Sequence, residues 1–270
     1  ETAGVRPPRR KVVPVGDGLR EGEVVVLRGP GGINVLVELR PGTTEIPGRG
    51  VVDLSGTIGQ PAGTGLAWAG ATYQVDRPVL SDFLAHLRRR AQIVTPKDAM
   101  YLLYLAGVGP GGRVAEAGSG SGALTTVLAY AVGDSGQVDS FERREDFLEV
   151  ARQNVASAGL AGRVRFHRQD VVSDGLGAGP FDAILLDVPE PWEVLTNARS
   201  ALRAGGRLAT YTPTYNQLER TVRAMREHGF QDIRSLELIE RELHVGDGGT
   251  RPAFDMLGHT GFLSGGRRGP

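Results

Sequence analysis

One glycine-rich run constrains the fold of this 270-residue chain more than any other feature. A short apolar strand predicted at Arg113 to Glu116 leads into Ala117-Gly118-Ser119-Gly120-Ser121-Gly122, and a helix follows directly. Glycines at such a turn let a ligand approach the backbone closely, and the amide groups at the start of the helix face that ligand. The pattern therefore predicts a ligand site at this strand end.

Strands and helices alternate around this run. Further strands are predicted at Gln137 to Glu142, Val164 to His167, Ala183 to Asp187 and Arg207 to Thr212, and helical stretches separate them. This order predicts an α/β fold with an open, mostly parallel sheet wrapped by helices. In such sheets ligands bind at the carboxyl ends of the strands.

The N-terminal third has a different pattern. Two β-branched runs, Glu23 to Arg28 and Ile33 to Arg40, flank Gly29-Pro30-Gly31-Gly32 and predict a hairpin. Frequent Gly and Pro residues keep the later elements short, which indicates a small β-rich domain. The predicted divisions are a loose arm at 1–16, a β-rich domain at 17–79, a second domain at 80–264 and a flexible tail at 265–270.

Composition excludes several classes of function. The chain has no Cys, so it forms no disulfide and has no thiol nucleophile, which favours a reducing, cytoplasmic location. No apolar run is long enough to span a membrane. Its five His residues lack metal-ligand spacing, so we expect no metal. Basic and acidic residues balance at 31 each, so a nucleic acid would have to bind local patches.

Acidic residues at three successive strand ends narrow the choice of ligand. Gly118 to Ala123 also satisfies a loose dinucleotide fingerprint, but Glu116 would repel a pyrophosphate and suits a ligand with an ammonium group. Glu142 can accept hydrogen bonds from both hydroxyls of a ribose, and Asp170 from an adenine amino group. Each acid alone is better explained as a helix cap or a solvated charge. Together they favour S-adenosylmethionine (SAM) over NAD.

Three further motifs are spread along the chain: Pro96-Lys97-Asp98-Ala99 before the glycine run, Pro191-Trp192 after the fourth strand, and Gly258-His259-Thr260 near the end. With the glycine run, they resemble the TrmI family of class I SAM-dependent methyltransferases, which makes 1-methyladenosine at position 58 of tRNA. The resemblance extends from about Gly18 to Leu263. Other matching residues are Ile58-Gly59-Gln60-Pro61, Arg77-Pro78, Gln92-Ile93, Leu186-Asp187, Tyr211, Pro213 and Gln217.

The resemblance implies a Rossmann-like class I methyltransferase domain with a small β-rich N-terminal domain. It further implies SAM as the methyl donor, tRNA as the acceptor and a homotetramer. The predicted cofactor-binding residues are Gln92, Glu116, Gly118, Ser119, Gly120, Ser121, Gly122, Ala123, Glu142, Asp170, Val171 and Asp187.

Methyl transfer to adenine N1 needs alignment rather than a base, because N1 has a free lone pair. The product is cationic, and a carboxylate near the N6 amino group would stabilise the developing charge. Asp187 ends the fourth strand and is our first catalytic candidate. Tyr211, which could stack on the base or bond to it, is the second. Without the resemblance, Tyr211 would be a buried strand tyrosine.

Two places depart from the family pattern. Many members have Tyr before Pro-Lys-Asp, where this chain has Thr95. In Asp187-Val188-Pro189-Glu190-Pro191-Trp192, apolar residues are more usual than Pro-Glu. Any aromatic role at position 95 is therefore lost or moved in this chain.

A basic stretch before the glycine run is the predicted RNA-binding surface. Five basic residues and one acidic residue lie between Arg77 and Lys97. Phosphates of a folded tRNA require such a patch, although charged runs are more often solvated faces. The predicted RNA-binding residues are Arg88, Arg89, Arg90 and Lys97.

Two other functions remain open: a SAM-dependent methyltransferase acting on a protein carboxylate or small molecule, and a nucleotide-binding, dehydrogenase-like module.

Overall fold

A computed structural model describes residues 18–90 and 92–270 of the chain. The arm predicted at 1–16 lies outside the described residues. The described part divides into two compact units, of which the first ends at Asp82 and the second begins at Phe83. The division falls three residues after the predicted domain boundary.

The first unit consists of short antiparallel strands. Its four-stranded sheet has the order β2-β1-β6-β5, and β3 pairs with β4 separately. The predicted hairpin is confirmed, because β1 and β2 pair antiparallel with Val24 opposite Glu38. Buried side chains such as Leu27, Leu39 and Val75 form the core of this unit. The strands are β1 (Val24–Arg28), β2 (Asn34–Glu38), β3 (Thr43–Ile46), β4 (Gly50–Asp53), β5 (Thr64–Trp68) and β6 (Ala71–Asp76).

A seven-stranded sheet forms the second unit, with the order β12-β15-β11-β10-β7-β8-β9. The strands from β11 to β9 in this order are parallel, and β15 is antiparallel to both of its neighbours. These pairings confirm the open, mostly parallel sheet. The strands are β7 (Arg113–Ala117), β8 (Gln137–Glu142), β9 (Val164–Arg168), β10 (Phe181–Leu186), β11 (Leu202–Thr212), β12 (Phe230–Glu237) and β15 (Phe262–Arg268).

Helices pack on this sheet, and a separate hairpin precedes its last strand. The connection from β7 to β8 runs to one side of β7, whereas β10 lies on the other side, so the strand order reverses beside β7. Ligands bind open α/β sheets at such a reversal. The remaining elements are α1 (Leu80–Ala85), which spans the division between the units, α2 (Pro96–Ala106), α3 (Ala123–Val132), α4 (Glu145–Ser157), α5 (Pro191–Ala201), α6 (Tyr215–Glu227), β13 (Leu243–Gly246) and β14 (Gly249–Pro252).

The flexible tail predicted at 265–270 is wrong. Its first residues belong to β15, which is buried between β11 and β12. A Cβ on Gly265 would lie 2.9 Å from Cβ of Leu105, and a Cβ on Gly266 would lie 2.9 Å from Cε of Met225. The two glycines therefore allow neighbouring side chains to approach the strand closely, which is a packing role rather than a sign of flexibility.

Two features are absent from residues 18–90 and 92–270. No helix in these ranges is long and apolar enough to cross a bilayer. No three His, Asp or Glu side chains there lie close enough together to hold a metal ion.

Candidate active site

The predicted acidic residues meet at one edge of the parallel sheet. Glu116 lies near the carboxyl end of β7, Glu142 is the last residue of β8, Asp170 follows β9 and Asp187 follows β10. Parallel strands place their carboxyl ends at the same edge, so these four acids lie at the edge of the sheet that carries the glycine loop. The structure therefore brings together the residues that the sequence predicted for one ligand.

The loop from Gly118 to Gly122 depends on glycine at its first position. Gly118 has φ +93°, and a Cβ there would overlap the carbonyl oxygen of Asp187. Its amide donates to Phe141 O (2.9 Å), while the amide of Gly120 donates to Glu142 Oε2 (3.2 Å). A Cβ on Gly120 would meet nothing within 4 Å. The loop is thus held against β8 and β10 and leaves open space for a ligand beside Gly120.

Glu116 is fully buried, and only one of its two carboxylate oxygens accepts hydrogen bonds from the described residues. Its Oε2 accepts hydrogen bonds from the hydroxyls of Thr125 and Ser140, both at 2.5 Å. Its Oε1 is buried and has no partner among the described residues. Burial raises the pKa of Glu116 to about 7. An unpaired buried carboxylate oxygen is costly, so this atom fits a cationic group supplied by a ligand.

Glu142 and Asp170 are held by backbone amides. Glu142 accepts from Gly120 N and from Arg144 N (3.0 Å), and only 8% of the residue is exposed. Asp170 Oδ1 accepts from Val172 N (3.0 Å), and its Oδ2 lies 3.7 Å from Arg143 Nη1. A carboxylate can accept about four hydrogen bonds, so each residue retains capacity for a ligand donor.

Asp187 is partly buried, and its carboxylate receives no hydrogen bond from the described residues. Desolvation, with a contribution from the charge of Glu142, raises the pKa of Asp187 to about 7. It does not cap α5, because Glu190 occupies the N-cap position. The carboxylate is therefore available to a cationic ligand or substrate at the strand edge.

The structure does not support the predicted role of Tyr211 as a hydrogen-bond partner for the base. The residue is 7% exposed, and its hydroxyl donates to the carbonyl oxygen of Thr260 at 2.5 Å. Burial raises the pKa of Tyr211 to about 12. Because its one hydroxyl hydrogen is already used within the chain, Tyr211 packs as a strand tyrosine and holds the segment around Thr260.

The prediction that Lys97 binds RNA is wrong. Its ammonium group contacts three acceptors: Asp98 Oδ1 (2.7 Å), Leu238 O (2.9 Å) and Thr260 Oγ1 (2.7 Å). Its side chain is only 13% exposed. An ammonium group has three donors, so none remains for a phosphate.

Asp98 explains why the Pro-Lys-Asp-Ala and Gly-His-Thr motifs occur together. It is completely buried, and its Oδ2 accepts from Thr260 Oγ1 (2.7 Å) and Thr95 Oγ1 (2.8 Å). Thr95, at the place where many family members have Tyr, is thus a donor in this network. No role was predicted for Asp98 or Thr260 from the sequence, although both lie in the quoted motifs.

The predicted arginine cluster lies beside the glycine loop. The amide of Arg90 donates to Ser121 Oγ (3.1 Å). Asn154, which sequence reasoning missed, accepts from Arg88 N (3.0 Å) and donates to Arg88 O (2.9 Å) and Ser121 O (2.7 Å). The side chains of Arg88, Arg89 and Arg90 are exposed. Nothing in the sequence pattern signalled Asn154, because an isolated Asn on a helix has no distinctive spacing.

The other predicted cofactor residues occupy varied positions. Gln92 is exposed in the segment before α2, and Ala123 begins α3. Ser119 is buried, with its hydroxyl 2.6 Å from that of Ser140. Val171 packs in the core beside Phe141. Of these residues, only Gln92 has a side chain free to reach a ligand in solvent.

The raised pKa values of Glu116 and Asp187 predict how stability depends on pH. The unfolded carboxyl groups lose their protons near pH 4, whereas the folded groups hold them until about pH 7. Their contribution to stability is therefore complete below pH 4 and is lost as pH rises from about 4 to 7. Glu116→Gln should remove the contribution of Glu116 to this pH dependence, on the order of 2 to 4 kcal/mol in the free energy of unfolding.

Thermal unfolding of the unliganded protein at pH 5 and pH 8 measures this effect. We expect a smaller difference in Tm for Glu116→Gln than for the unsubstituted chain. The matched control is Glu145→Gln, which changes an exposed carboxylate at the start of α4. An unchanged difference in Glu116→Gln would contradict the burial of a protonated Glu116.

Comparison with known proteins agrees with this geometry. The family model described as tRNA methyltransferase complex GCD14 subunit matches residues 82–251. The tRNA (adenine(57)-N(1)/adenine(58)-N(1))-methyltransferase TrmI of Methanocaldococcus jannaschii is 36% identical over 220 residues, which cover 72% of this chain and 78% of that protein. The tRNA (adenine(58)-N(1))-methyltransferase TrmI of Thermus thermophilus is 39% identical over 203 residues, which cover 75% and 80%.

Solved structures have the same fold. A SAM-dependent O-methyltransferase from Thermotoga maritima matches with a TM-score of 0.85 and 31% identity over 97% of this chain and 98% of that one. The tRNA (m1A58) methyltransferase TrmI from Aquifex aeolicus matches with a TM-score of 0.76 and 29% identity over 93% and 98%. Both the family model and the curated relatives cover most of the chain. The chain therefore belongs to the GCD14/TrmI family of tRNA methyltransferases.

Proposed function

We propose that this chain transfers a methyl group from SAM to N1 of adenosine 58 in the T-loop of tRNA. The observation that carries the proposal is the meeting of Glu116, Glu142, Asp170 and Asp187 at the glycine-loop edge, in a chain of the GCD14/TrmI family. The enzyme works in the cytoplasm and forms a homotetramer. Exposed apolar side chains around the β13–β14 hairpin, such as Val245 and Phe254, support an oligomer because they suit burial against another subunit.

The acidic residues at the sheet edge divide the recognition of SAM between them. Glu116 Oε1, which is buried without a partner, binds the methionine ammonium group. Glu142 accepts from the ribose hydroxyls, and Asp170 from the adenine amino group. Gly120 leaves the space in which the cofactor lies, and Gly118 lets the loop pack against Asp187. When bound, SAM supplies an electrophilic methyl group on a sulfonium centre.

Asp187 acts on the substrate adenine. The adenine N1 lone pair is free at neutral pH, so no residue has to remove a proton before transfer. Asp187 has no hydrogen-bond donor in the described part of the chain, and its carboxylate can accept from the N6 amino group. The positive charge that develops on the ring then faces a carboxylate in a desolvated place, where the attraction is strong.

A second candidate is methylation of an oxygen acceptor on a protein or a small molecule. The Thermotoga maritima neighbour is named an O-methyltransferase, and Asp187, with its pKa raised to about 7, could accept a proton from a hydroxyl. The family model and the curated relatives favour tRNA. The acceptor therefore has to be identified directly.

Mapping of the methylated nucleotide tests the proposal. The protein is incubated with labelled SAM and unmodified tRNA, and 1-methyladenosine is located by the stops it causes in reverse transcription. We expect label at position 58, and the same map reports position 57, which the relative from Methanocaldococcus jannaschii also modifies according to its name. Label on protein or small molecules in a cell extract, with none on tRNA, would support the second candidate and overturn the first.

The exposed arginines near the glycine loop predict salt-dependent tRNA binding. Replacement of Arg88, Arg89 and Arg90 by Glu should weaken tRNA binding and lower the slope of log K against log salt by about one unit for each lost phosphate contact. SAM affinity should change little. Arg165→Glu and Arg223→Glu, which change exposed arginines on other elements, provide controls. A triple variant with the original slope would show that the cluster is only a solvated face.

A further inference from the structure

An aromatic side chain at the start of α6 has no role in the site described above. Tyr215 is 67% exposed, and its ring centroid lies 4.3 Å from that of Phe262. Phe262 is 5% exposed and belongs to β15. A buried ring thus supports an exposed one, which restricts the positions that the Tyr215 ring can adopt.

Tyr215 lies at the same sheet edge as Asp187. It follows β11, which is parallel to β10 and adjacent to it, by three residues. Two residues further on, Gln217 Nε2 donates to Pro189 O (2.9 Å), and Pro189 is two residues after Asp187. The start of α6 is therefore bonded directly to the segment that carries Asp187.

A His–Glu pair lies beside Phe262, the ring that supports Tyr215. The ring of His259 lies 4.7 Å from that of Phe262, its Nδ1 is 2.6 Å from Glu237 Oε1, and its Nε2 is 2.7 Å from Pro213 O. Both ring nitrogens face acceptors, and these hydrogen bonds to Glu237 and Pro213 raise the pKa of His259. The pair of His259 and Glu237 therefore carries no net positive charge. An aromatic surface whose support carries no net positive charge suits the face of a base better than a phosphate.

We propose that Tyr215 is a stacking platform for an unpaired RNA base next to the methylated adenosine. This inference rests on the proposed function. Phe262, the first residue of β15, pairs with Thr212, the last residue of β11. In the sheet, β15 lies two strands from β10. Neighbouring strands are about 4.8 Å apart, so the platform is about 10 Å from the Asp187 strand. One base cannot lie against both groups, so the platform binds a neighbour, whose face is uncovered when the target leaves the stack.

Substitution of Tyr215 tests the platform. Tyr215→Ala should raise KM for tRNA about 5- to 100-fold, as loss of a stacked base does, while the single-turnover rate at saturating tRNA and SAM affinity change little. Tyr215→Phe and Tyr215→Trp should keep KM near its original value, because they keep a ring. A rise in KM for Tyr215→Phe equal to that for Tyr215→Ala would overturn stacking as the interaction.

Tyr104→Ala is the matched control. Tyr104 is 68% exposed, on α2. Leu105, near the end of that helix, accepts a hydrogen bond from Arg207 Nε (2.6 Å). Arg207 lies on β11, five residues before the carboxyl end of the strand. Tyr104 therefore lies away from the proposed RNA edge, and its loss should not change KM. An equal rise in KM in both alanine variants would attribute the effect to general loss of exposed aromatic surface and overturn the proposal.

A cycle with modified tRNA identifies the partner base. Abasic nucleotides are placed at position 57 or 59, and KM is measured with the unsubstituted enzyme and with Tyr215→Ala. At the stacked position, the abasic site should raise KM for the unsubstituted enzyme and add nothing for the variant. Additive effects at both positions, or a changed oligomeric state of Tyr215→Ala, would overturn the platform. Absence of methylation by the unsubstituted enzyme would instead overturn the proposed function.

Discussion

We expect Asp187→Asn to slow single-turnover methylation of tRNA by a factor on the order of 10² to 10³, as for the loss of one preorganised electrostatic group. Asn keeps the size of the side chain and one acceptor oxygen but removes the negative charge. That charge acts mainly on the cation that forms during transfer, so tRNA affinity should change much less than the rate. The rate is measured at saturating SAM and tRNA, which removes binding from the comparison.

Glu190→Gln is the control for this substitution. Glu190 belongs to the same segment, three residues after Asp187, but is exposed. Its loss should leave the rate unchanged, so a general effect of charge on the segment can be separated from an effect at the site. A near-original rate for Asp187→Asn would show that Asp187 supports the loop or contacts SAM. Catalysis would then depend on alignment of the two reactants alone.

The second large effect concerns SAM affinity. Glu142→Ala should weaken binding of SAM by about 1.5 to 3 kcal/mol, because a charge-assisted pair of hydrogen bonds to the ribose is lost. The structure adds a second cause. Glu142 also accepts from the amides of Gly120 and Arg144, so the substitution loosens the glycine loop as well. Calorimetry with SAM measures the sum of both effects.

A cycle with a deoxygenated cofactor separates the two causes. S-adenosylhomocysteine and its analogue without the ribose hydroxyls are compared in the unsubstituted enzyme and in Glu142→Ala. If Glu142 binds the ribose, removal of the hydroxyls should weaken binding to the unsubstituted enzyme and have little further effect in the variant. Equal losses in both proteins would leave Glu142 as a support for the loop. Glu145→Ala, which changes an exposed carboxylate nearby, should behave as the unsubstituted enzyme.

Local elements of this fold follow from the sequence more closely than side-chain partners do. The sequence predicts a strand at Gln137 to Glu142, and β8 has these bounds in the structure. A short run that follows turn residues is a local signal, so it can be read without knowing the tertiary contacts. The sheet edge followed from the same signals, since successive parallel strands must end on one side. Lys97 was misassigned, because its acceptors Leu238 and Thr260 lie 141 and 163 residues further along the chain.

The sequence by itself determined the α/β fold, the glycine loop and the set of acids around it, because each depends on local periodicity and on the positions of strand ends. Tertiary structure alone decided which of the polar groups remain free. Gly265 and Gly266 belong to a buried strand, where the absence of a Cβ lets Leu105 and Met225 approach closely. Lys97 and Tyr211 form hydrogen bonds within the chain, whereas the Asp187 carboxylate and one oxygen of Glu116 have no hydrogen-bond partner among the described residues. The availability of a side chain depends on neighbours that are distant in sequence, and only the folded chain brings those neighbours together.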